Sequence, residues 1–168
     1  MEIPDEWLDV VDPNDNVIGK ASRKEVHEKS LVHRAVHIMV FNGEGKLFLQ
    51  KRSPAKDENP GLWDTSAAGH VGAGESYLTT AHRELEEELG IKAELEFFLK
   101  LTASRETANE HLEVFVCAAK NKIVINKSEI SEGRYWSLDE IRKAINGFPG
   151  NFTSSFKLIF DNYLRKKE

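Results

Sequence analysis

The sequence predicts a mixed α/β fold of the α+β class. Several strand-like runs, the clearest of them in a hairpin over residues 35–50, are interspersed with a few amphipathic helices, of which the strongest covers residues 76–89. The 168 residues are 40% apolar and 30% charged, a composition typical of globular proteins. Because domains cluster at roughly 100 to 150 residues, we expect a single domain over residues 1–168.

The N-terminal half is predicted to consist mainly of β-structure. Strand-like runs at residues 7–11 and 17–19 flank a turn rich in Asp, Asn and Pro, so residues 1–32 have the pattern of a β-hairpin extension. The hairpin over residues 35–50 follows, with an Asn-Gly turn between two apolar runs. Residues 53–60 contain two prolines and are predicted as a loop.

The second half begins with an extended stretch that ends at Ala68, a turn and the long helix. This helix is predicted to end at Gly90, a residue suited to a left-handed C-cap. A capping box, Ser137-Leu138-Asp139-Glu140, begins the next helix. Further strands are predicted at residues 95–101, 112–119 and 122–125, and further helices at residues 137–145 and 154–165.

The long helix has an acidic face. Side chains step about 100° around a helix axis, so four apolar residues share one face and Glu84, Glu87 and Glu88 share the adjacent one. Each exposed pair of like charges costs roughly 0.2 to 0.5 kcal/mol, and the C-terminal end of a helix favours cations. An acidic face alone is more often a solvated surface, but a bound divalent cation would relieve both unfavourable effects. Oxygen ligands suit Mg²⁺ or Mn²⁺.

The residues around this helix match a known signature. The preceding segment reads Gly69-His70-Val71-Gly72-Ala73-Gly74-Glu75, and the closing segment reads Arg83-Glu84-Leu85-Glu86-Glu87-Glu88-Leu89-Gly90-Ile91. Residues 69–91 therefore resemble the Nudix box at every specified position. The resemblance implies the α/β/α sandwich of that family, with a mixed β-sheet between the helices.

The Nudix resemblance also implies metal-dependent hydrolysis of a diphosphate linkage. By that resemblance, Glu84, Glu87 and Glu88 hold Mg²⁺ or Mn²⁺. Arg83 orients these carboxylates through ion pairs, and Glu75 assists as a ligand or base. The expected substrate is a small anionic diphosphate, and a nucleoside diphosphate derivative above all. Which glutamate acts as the base differs within the family and stays open.

Charge and hydropathy narrow the classes of partner. The net charge is −5 and the one basic run is Arg165-Lys166-Lys167, so the cationic surface that a nucleic-acid polymer requires is missing. No apolar run approaches the ~20 residues of a membrane span. The acidic N-terminus lacks the pattern of a signal peptide, so we expect a cytoplasmic protein without a membrane partner. The oligomeric state, with a homodimer as one option, stays open.

A second resemblance is to the type 1 isopentenyl-diphosphate isomerase branch of the same superfamily. It rests on the segments His33-Arg34-Ala35, Phe41-Asn42, Lys51-Arg52-Ser53, Pro60-Gly61-Leu62-Trp63 and Gly69-His70. In that branch, histidines like His27, His33 and His70 form an additional metal site with a glutamate like Glu110 or Glu113. The resemblance therefore implies a second metal site in this chain.

The isomerase branch uses a cysteine immediately before the Gly-His pair, where this chain has Ala68. A methyl group cannot transfer a proton, and the intact Nudix box favours hydrolysis. Three functions remain in competition: hydrolysis of a diphosphate, an isopentenyl-diphosphate isomerase-like activity, and ligand binding by a non-catalytic Nudix-fold module. The acidic helix counts against the third, because a binding module has no need to tolerate that repulsion.

Overall fold

The order of strands and helices is defined for residues 6–167, which are the residues that the computed structural model describes. The elements are β1 (Trp7–Val11), β2 (Val17–Ser22), α1 (Arg23–Glu28), β3 (His33–Phe41), β4 (Leu47–Arg52), β5 (Trp63–Asp64), β6 (Ala67–His70), α2 (Tyr77–Leu89), β7 (Glu96–Leu101), β8 (Glu110–Ala118), β9 (Ile130–Trp136), α3 (Leu138–Gly147) and α4 (Ser154–Lys167), with a 3₁₀ turn at Pro149–Asn151. Among these residues, no helix is long and apolar enough to cross a membrane.

The main sheet is mixed, as predicted. Its strands lie in the order β5-β4-β3-β8-β7, and β6 pairs with β3 while β9 pairs with β4. Strands β3 and β8 are parallel, and the other pairings are antiparallel. Strands β3 and β4 pair at Phe41 and Leu47. Beyond that pair, β3 continues beside β6 and β4 continues beside β9 and β5, so the sheet opens between them.

Helices cover both faces of this sheet. On one face, β3 packs against α2, and the shared core contains Val36, Ile38, Val40, Ala81, Leu85 and Leu89. The opposite face packs against α3 and α4, in a core that contains Ala35, Met39, Ile141, Phe156, Ile159 and Phe160. Because both faces of β3 are buried, most of its residues are apolar and the sequence does not alternate. The predicted α/β class and the sandwich arrangement are confirmed.

The caps of α2 hold the acidic face in place. Ser76 accepts a hydrogen bond from the Thr79 backbone N–H at 3.1 Å and caps the N-terminus. Gly90, with a φ of 66°, caps the C-terminus as predicted. The capping box at the start of α3 is also present, with Ser137 and Glu140 exchanging hydrogen bonds.

The predicted strand over residues 122–125 is wrong, because this segment has no regular secondary structure. The chain here instead bonds to the end of α2: the N–H of Val124 donates to Leu89 O at 3.0 Å, and the N–H of Asn126, just after the segment, donates to Glu88 O at 2.9 Å. These bonds satisfy carbonyls that a helix end leaves unpaired. Ile123 and Ile125 pack on the α2 core without joining the sheet, and Val124 is exposed.

Two elements were not predicted from the sequence. Strand β9 reads Ile-Ser-Glu-Gly-Arg-Tyr-Trp and has little apolar alternation, but it pairs with β4 over six residue pairs. Its Gly133 lies against the ring of Phe48, where a Cβ atom would overlap the ring. The six-residue helix α1 follows the N-terminal hairpin, which occupies residues 7–22 of the predicted 1–32 extension.

Asp15, at the turn of the N-terminal hairpin, fastens that hairpin to the main sheet. Its carboxylate accepts hydrogen bonds from Arg34 Nε at 2.7 Å, Tyr77 Oη at 2.7 Å and Lys100 Nζ at 2.5 Å. Arg34 Nη2 also donates to the backbone carbonyl of Asp15 at 2.8 Å. Donors from β3, α2 and β7 thus converge on one carboxylate. Helix α1 follows this hairpin, and its His27 lies beside the start of β3, with its ring centroid 5.7 Å from that of His33.

Candidate active site

Helix α2 presents Glu84, Glu87 and Glu88 to one cleft, but in different environments. Glu87 is half-exposed, whereas Glu84 and Glu88 are largely buried. Glu88 Oε1 accepts a hydrogen bond from Gln50 Nε2 at 3.1 Å, and Glu88 Oε2 accepts one from the Ala68 backbone N–H at 3.1 Å. Burial raises the pKa of Glu88 well above its ordinary value, and the adjacent Glu84 carboxylate raises it further. Burial likewise raises the pKa of Glu84.

Arg83 contacts three of the box carboxylates. Its Nη2 lies 3.1 Å from Glu75 Oε1, and its Nη1 lies 2.8 Å from Glu84 Oε1 and 3.4 Å from Glu87 Oε2. The guanidinium group therefore offsets part of the repulsion among the glutamates and fixes their positions. All five box residues that the sequence singled out lie together in the structure. We call Glu75, Glu84, Glu87 and Glu88 the glutamate cluster.

Gly69 is required at its position by close packing. A Cβ atom on Gly69 would overlap the carboxyl group of Glu84. The first glycine of the box therefore makes room for a carboxylate that helix α2 brings against strand β6. The motif specifies a glycine at this position, and the contact with Glu84 is the physical reason for it.

His27, His33 and His70 form a second cluster, which we call the histidine cluster. Each offers one ring nitrogen, and these nitrogens lie within 4.8 Å of one another. Glu110 Oε2 lies 3.1 Å from His33 Nε2 and 3.0 Å from His70 Nε2. The parallel pairing of β3 with β8 sets His33 directly beside Glu110. Glu113, the other glutamate to which the isomerase resemblance points, lies 3.9 Å from Lys100 instead, so Glu110 is the residue that joins the cluster.

The ionisation of this second cluster is set by its own contacts. Burial opposes a charge on His70, but hydrogen bonds to Glu110 and Glu6 raise the pKa of His70 to about 10. Burial alone would raise the pKa of Glu110, and its hydrogen bonds to His33 and His70 hold it well below its usual range. In the metal-free protein, Glu110 therefore carries a negative charge that two imidazoles share.

His27 has an unsatisfied nitrogen within the cluster. Its Nε2 is fully enclosed and makes no hydrogen bond within residues 6–167. Glu58 Oε1 lies 3.0 Å from that atom, but outside hydrogen-bonding geometry. Buried polar atoms are normally paired, so an enclosed imidazole nitrogen beside two other imidazoles and a carboxylate has the donor set of a transition-metal site.

One cleft of about 1060 Å³ is lined by residues from both clusters: Glu84, Glu87 and Glu88 of the first, and His70 with its partner Glu110 of the second. Strand β6 separates them over three consecutive residues: the Ala68 N–H binds Glu88, Gly69 makes room for Glu84, and His70 binds Glu110. Cationic side chains on the cleft wall are Arg23, Arg52, Lys56 and Arg83. The cleft therefore combines carboxylates, imidazoles and cations around a space that can hold a small anionic molecule.

Some contributors to the site were not found from the sequence. Gln50 is 2% exposed and hydrogen-bonded to Glu88. A polar residue directly after the apolar run Leu47-Phe48-Leu49, on the same predicted strand, was a usable signal, because buried amides need partners. Glu6 and Glu58, which approach His70 and His27, carried no signal because acidic surface residues are common.

Comparison with known proteins gives one family. The family model of the NUDIX domain matches residues 31–156. Isopentenyl-diphosphate Delta-isomerase 2 of Photorhabdus laumondii is 35% identical over 162 residues, which cover 94% of this chain and 92% of that protein. The uncharacterized Nudix hydrolase YfcD of Escherichia coli strain K12 is 36% identical over 145 residues, 85% of this chain and 80% of that protein.

A solved structure agrees with these relatives. The crystal structure of DR0079 from Deinococcus radiodurans has a TM-score of 0.77 at 26% identity, with 85% of this chain and 90% of that chain covered. Both resemblances that the sequence predicted, to the box and to the isomerase branch, are confirmed at the level of relatedness. The chain therefore belongs to the Nudix family.

Proposed function

We propose that this protein is a metal-dependent hydrolase of small-molecule diphosphates, with a nucleoside diphosphate derivative as substrate. The observation that carries the proposal is the packing of Glu84 and Glu88 side by side, largely buried, at the wall of a cleft that also holds cationic side chains. Two buried carboxylates with raised pKa values are costly to ionise without a cation. A divalent cation would remove that cost.

The donor set fits Mg²⁺ or Mn²⁺. Glu84, Glu87 and Glu88 offer only oxygen atoms, which these hard cations prefer. When bound, such a cation would neutralise charge on the diphosphate oxygens and lower the pKa of a water molecule. Arg83 holds Glu84 and Glu87 in place through ion pairs of 2.8 and 3.4 Å. Glu75, 3.1 Å from the same guanidinium group, is placed to assist as a ligand or base.

A hydrolysis screen tests this proposal. Native protein with Mg²⁺ is incubated with nucleoside diphosphates, sugar nucleotides and isoprenoid diphosphates, and release of phosphate or of a nucleoside monophosphate is measured. We expect turnover that EDTA abolishes and that Glu87→Gln lowers by two orders of magnitude or more. Glu86→Gln is the matched control, because Glu86 lies on the same helix with its carboxylate 3.7 Å from Lys92. A folded native protein inert towards the whole panel would contradict the proposal.

The histidine cluster supports a second metal. Imidazole nitrogens of His27, His33 and His70 with the Glu110 carboxylate suit Mn²⁺ or Zn²⁺ better than Mg²⁺. Calorimetric titration with Zn²⁺ and Mn²⁺ tests this assignment. We expect His27→Ala to weaken binding at least tenfold and His82→Ala, an exposed position on α2, to leave it unchanged. Equal affinities of the two variants for Zn²⁺ and Mn²⁺ would contradict the assignment of a second metal site.

Isomerisation of an isoprenoid diphosphate is the second candidate. The histidine cluster favours it, and so does the Photorhabdus relative named as an isopentenyl-diphosphate isomerase. Against it, Ala68 stands on the cleft wall where that branch has its cysteine. Double-bond migration in isopentenyl diphosphate is measured by proton NMR with native protein and with Ala68→Cys. Absence of the dimethylallyl product from both proteins would exclude this candidate.

A further inference from the structure

His37 is a buried histidine on the cleft wall that belongs to neither cluster. It is 4% exposed, and it lines the cleft together with Asp64 and Ala68. In the antiparallel pairing of β3 and β6, His37 lies directly opposite Ala68, so the two side chains lie on the same face of the sheet. His37 therefore borders the residue whose N–H binds Glu88.

The contacts of His37 Nδ1 assign the tautomer of the ring. Nδ1 lies 2.8 Å from Thr65 Oγ1. The Thr65 hydroxyl has one proton and donates it to the Ala67 carbonyl at 3.2 Å, so Oγ1 is left to accept from His37 Nδ1–H. Asp64 Oδ1, 3.7 Å from Nδ1, also favours a proton on that nitrogen. With Nδ1 protonated, Nε2 presents a lone pair.

His37 Nε2 is available to the cleft. Among residues 6–167, no atom forms a hydrogen bond with Nε2. The atom is nevertheless not fully enclosed, unlike the unpaired Nε2 of His27. Burial lowers the pKa of His37 in spite of the nearby Asp64 carboxylate. The ring is therefore neutral at neutral pH and offers an acceptor to whatever fills the cleft.

We propose that His37 is a specificity-determining residue: its Nε2 accepts a hydrogen bond from a hydroxyl or amino group of the organic part of the substrate. The substrate is then the diphosphate of a polar group, such as a nucleoside or a sugar, and not of a hydrocarbon chain. This inference rests on the proposed hydrolase function and names the residue that selects its substrate.

The selectivity follows from the cost of an unpaired buried acceptor. A hydrocarbon chain lying over His37 would remove water from Nε2 without replacing its hydrogen bond. A site built to pair with a polar group rejects an analogue that lacks the group, here by roughly 10- to 100-fold for one neutral hydrogen bond. The diphosphate would lie at the glutamate cluster, and the group attached to it would lie beside Ala68 and His37.

The experiment compares two classes of diphosphate in native protein and three variants. His37→Phe keeps the aromatic ring and removes the acceptor, whereas His37→Gln places an amide oxygen near the position of Nε2. His82→Phe is the control for loss of a histidine outside the cleft. For each protein, kcat/KM is measured with ADP, UDP-glucose and isopentenyl diphosphate in the presence of Mg²⁺.

We expect His37→Phe to lower kcat/KM for the preferred nucleotide by roughly 10- to 100-fold and to leave turnover of isopentenyl diphosphate unchanged or raised. His37→Gln should recover part of the preference, and His82→Phe should match native protein. Equal losses on both classes, or no loss on either, would overturn the inference. A native preference for isopentenyl diphosphate would overturn it as well.

Failure of the hydrolase proposal gives a different result. If native protein cleaves none of the three compounds, the same preference is measured as the ratio of their dissociation constants by calorimetry. If native protein binds a nucleotide more tightly than isopentenyl diphosphate and His37→Phe abolishes that difference, the role of His37 is supported without any turnover. Equal affinities in native protein and His37→Phe would reject it. If His37→Phe does not fold, His37→Leu, which also removes the acceptor, takes its place in the same comparison.

Discussion

The backbone N–H of Ala68 donates a hydrogen bond of 3.1 Å to Glu88 Oε2. This bond joins strand β6 to the C-terminal turn of α2, and with the Gln50 amide it gives both oxygens of Glu88 a partner. Glu88 is consequently fixed before any cation binds. Such preorganisation is what a metal ligand needs, because the cost of ordering the side chain is met during folding.

Stability of the metal-free protein should fall as pH rises. The folded-state pKa values of Glu88 and Glu84 lie above their ordinary value of 4.5. Between the unfolded and folded pKa values, the native state holds protons that the unfolded state has released. The free energy of unfolding then decreases by about 1.4 kcal/mol per pH unit for each proton. Stabilisation is complete below pH 4.5 and is lost as pH rises through the folded pKa.

Urea denaturation in EDTA at several pH values measures this effect. Glu88→Gln cannot ionise, so its stability should depend less on pH than that of native protein. Glu86→Gln, at an exposed position of the same helix, should keep the native dependence. Mg²⁺ should restore stability at neutral pH in native protein and much less in Glu88→Gln. Parallel pH profiles for all three proteins would show that Glu88 titrates normally.

Gly69→Ala should impair activity more than folding. The added methyl group would overlap the Glu84 carboxyl group, which can move away at the cost of its position in the glutamate cluster. We expect Mg²⁺ to bind at least tenfold more weakly, with a change in unfolding free energy of about 1 kcal/mol or less. Gly43→Ala is the control, because a Cβ atom there meets nothing within 4 Å. Native Mg²⁺ affinity in Gly69→Ala would contradict this account of the glycine.

Glu110→Gln should destabilise the metal-free protein strongly. The substitution removes the charged partner of His33 and His70, at 3.1 and 3.0 Å, and breaking a buried ion pair costs roughly 3 to 5 kcal/mol. The pKa of His70, now raised to about 10, should fall towards its ordinary value in an NMR titration. Glu113→Gln, on the same strand but paired with the half-exposed Lys100, should cost about 1 kcal/mol or less. Similar losses for both variants would argue against a special role of Glu110.

Asp15→Asn should loosen the N-terminal hairpin. Asparagine fits the φ of 65° at this position, so the substitution mainly removes the charge that Arg34 and Lys100 share. We expect a loss of about 2 to 3 kcal/mol and faster hydrogen exchange in β1 and β2. Asp161→Asn, at an exposed helix position, is the control. Unchanged exchange in β1 and β2 would show that the hairpin is held by other contacts.

The glutamate cluster was predictable because its pattern is local. Helix periodicity places Glu84, Glu87 and Glu88 on one face wherever the helix lies, and Gly90 and Ser76 marked its ends correctly. The histidine cluster is different in kind. His33 and Glu110 are 77 residues apart and meet through the parallel pairing of β3 with β8. No spacing rule predicts that pairing, so only the family resemblance pointed to it.

Errors in the predicted fold arose where tertiary contacts decide. Residues 122–125 have the composition of a strand, yet the N–H groups of Val124 and of the following Asn126 bond to unpaired carbonyls at the end of α2. Strand β9 shows the reverse: its sequence is too polar to predict a strand, but it forms one because it pairs with β4. Nothing in the sequence distinguishes His37 from the other residues of its apolar strand, because its position opposite Ala68 depends on the pairing of β3 with β6.

Strand β6 also limits how this protein can change over evolutionary time. Side chains on a strand point alternately to its two faces, so inserting one residue would exchange those faces. His70 would then turn away from Glu110, and a side chain would occupy the space that Gly69 leaves for Glu84. Substitutions can adjust either cluster alone. Insertions and deletions within β6 would damage both together, so they should be absent from active relatives.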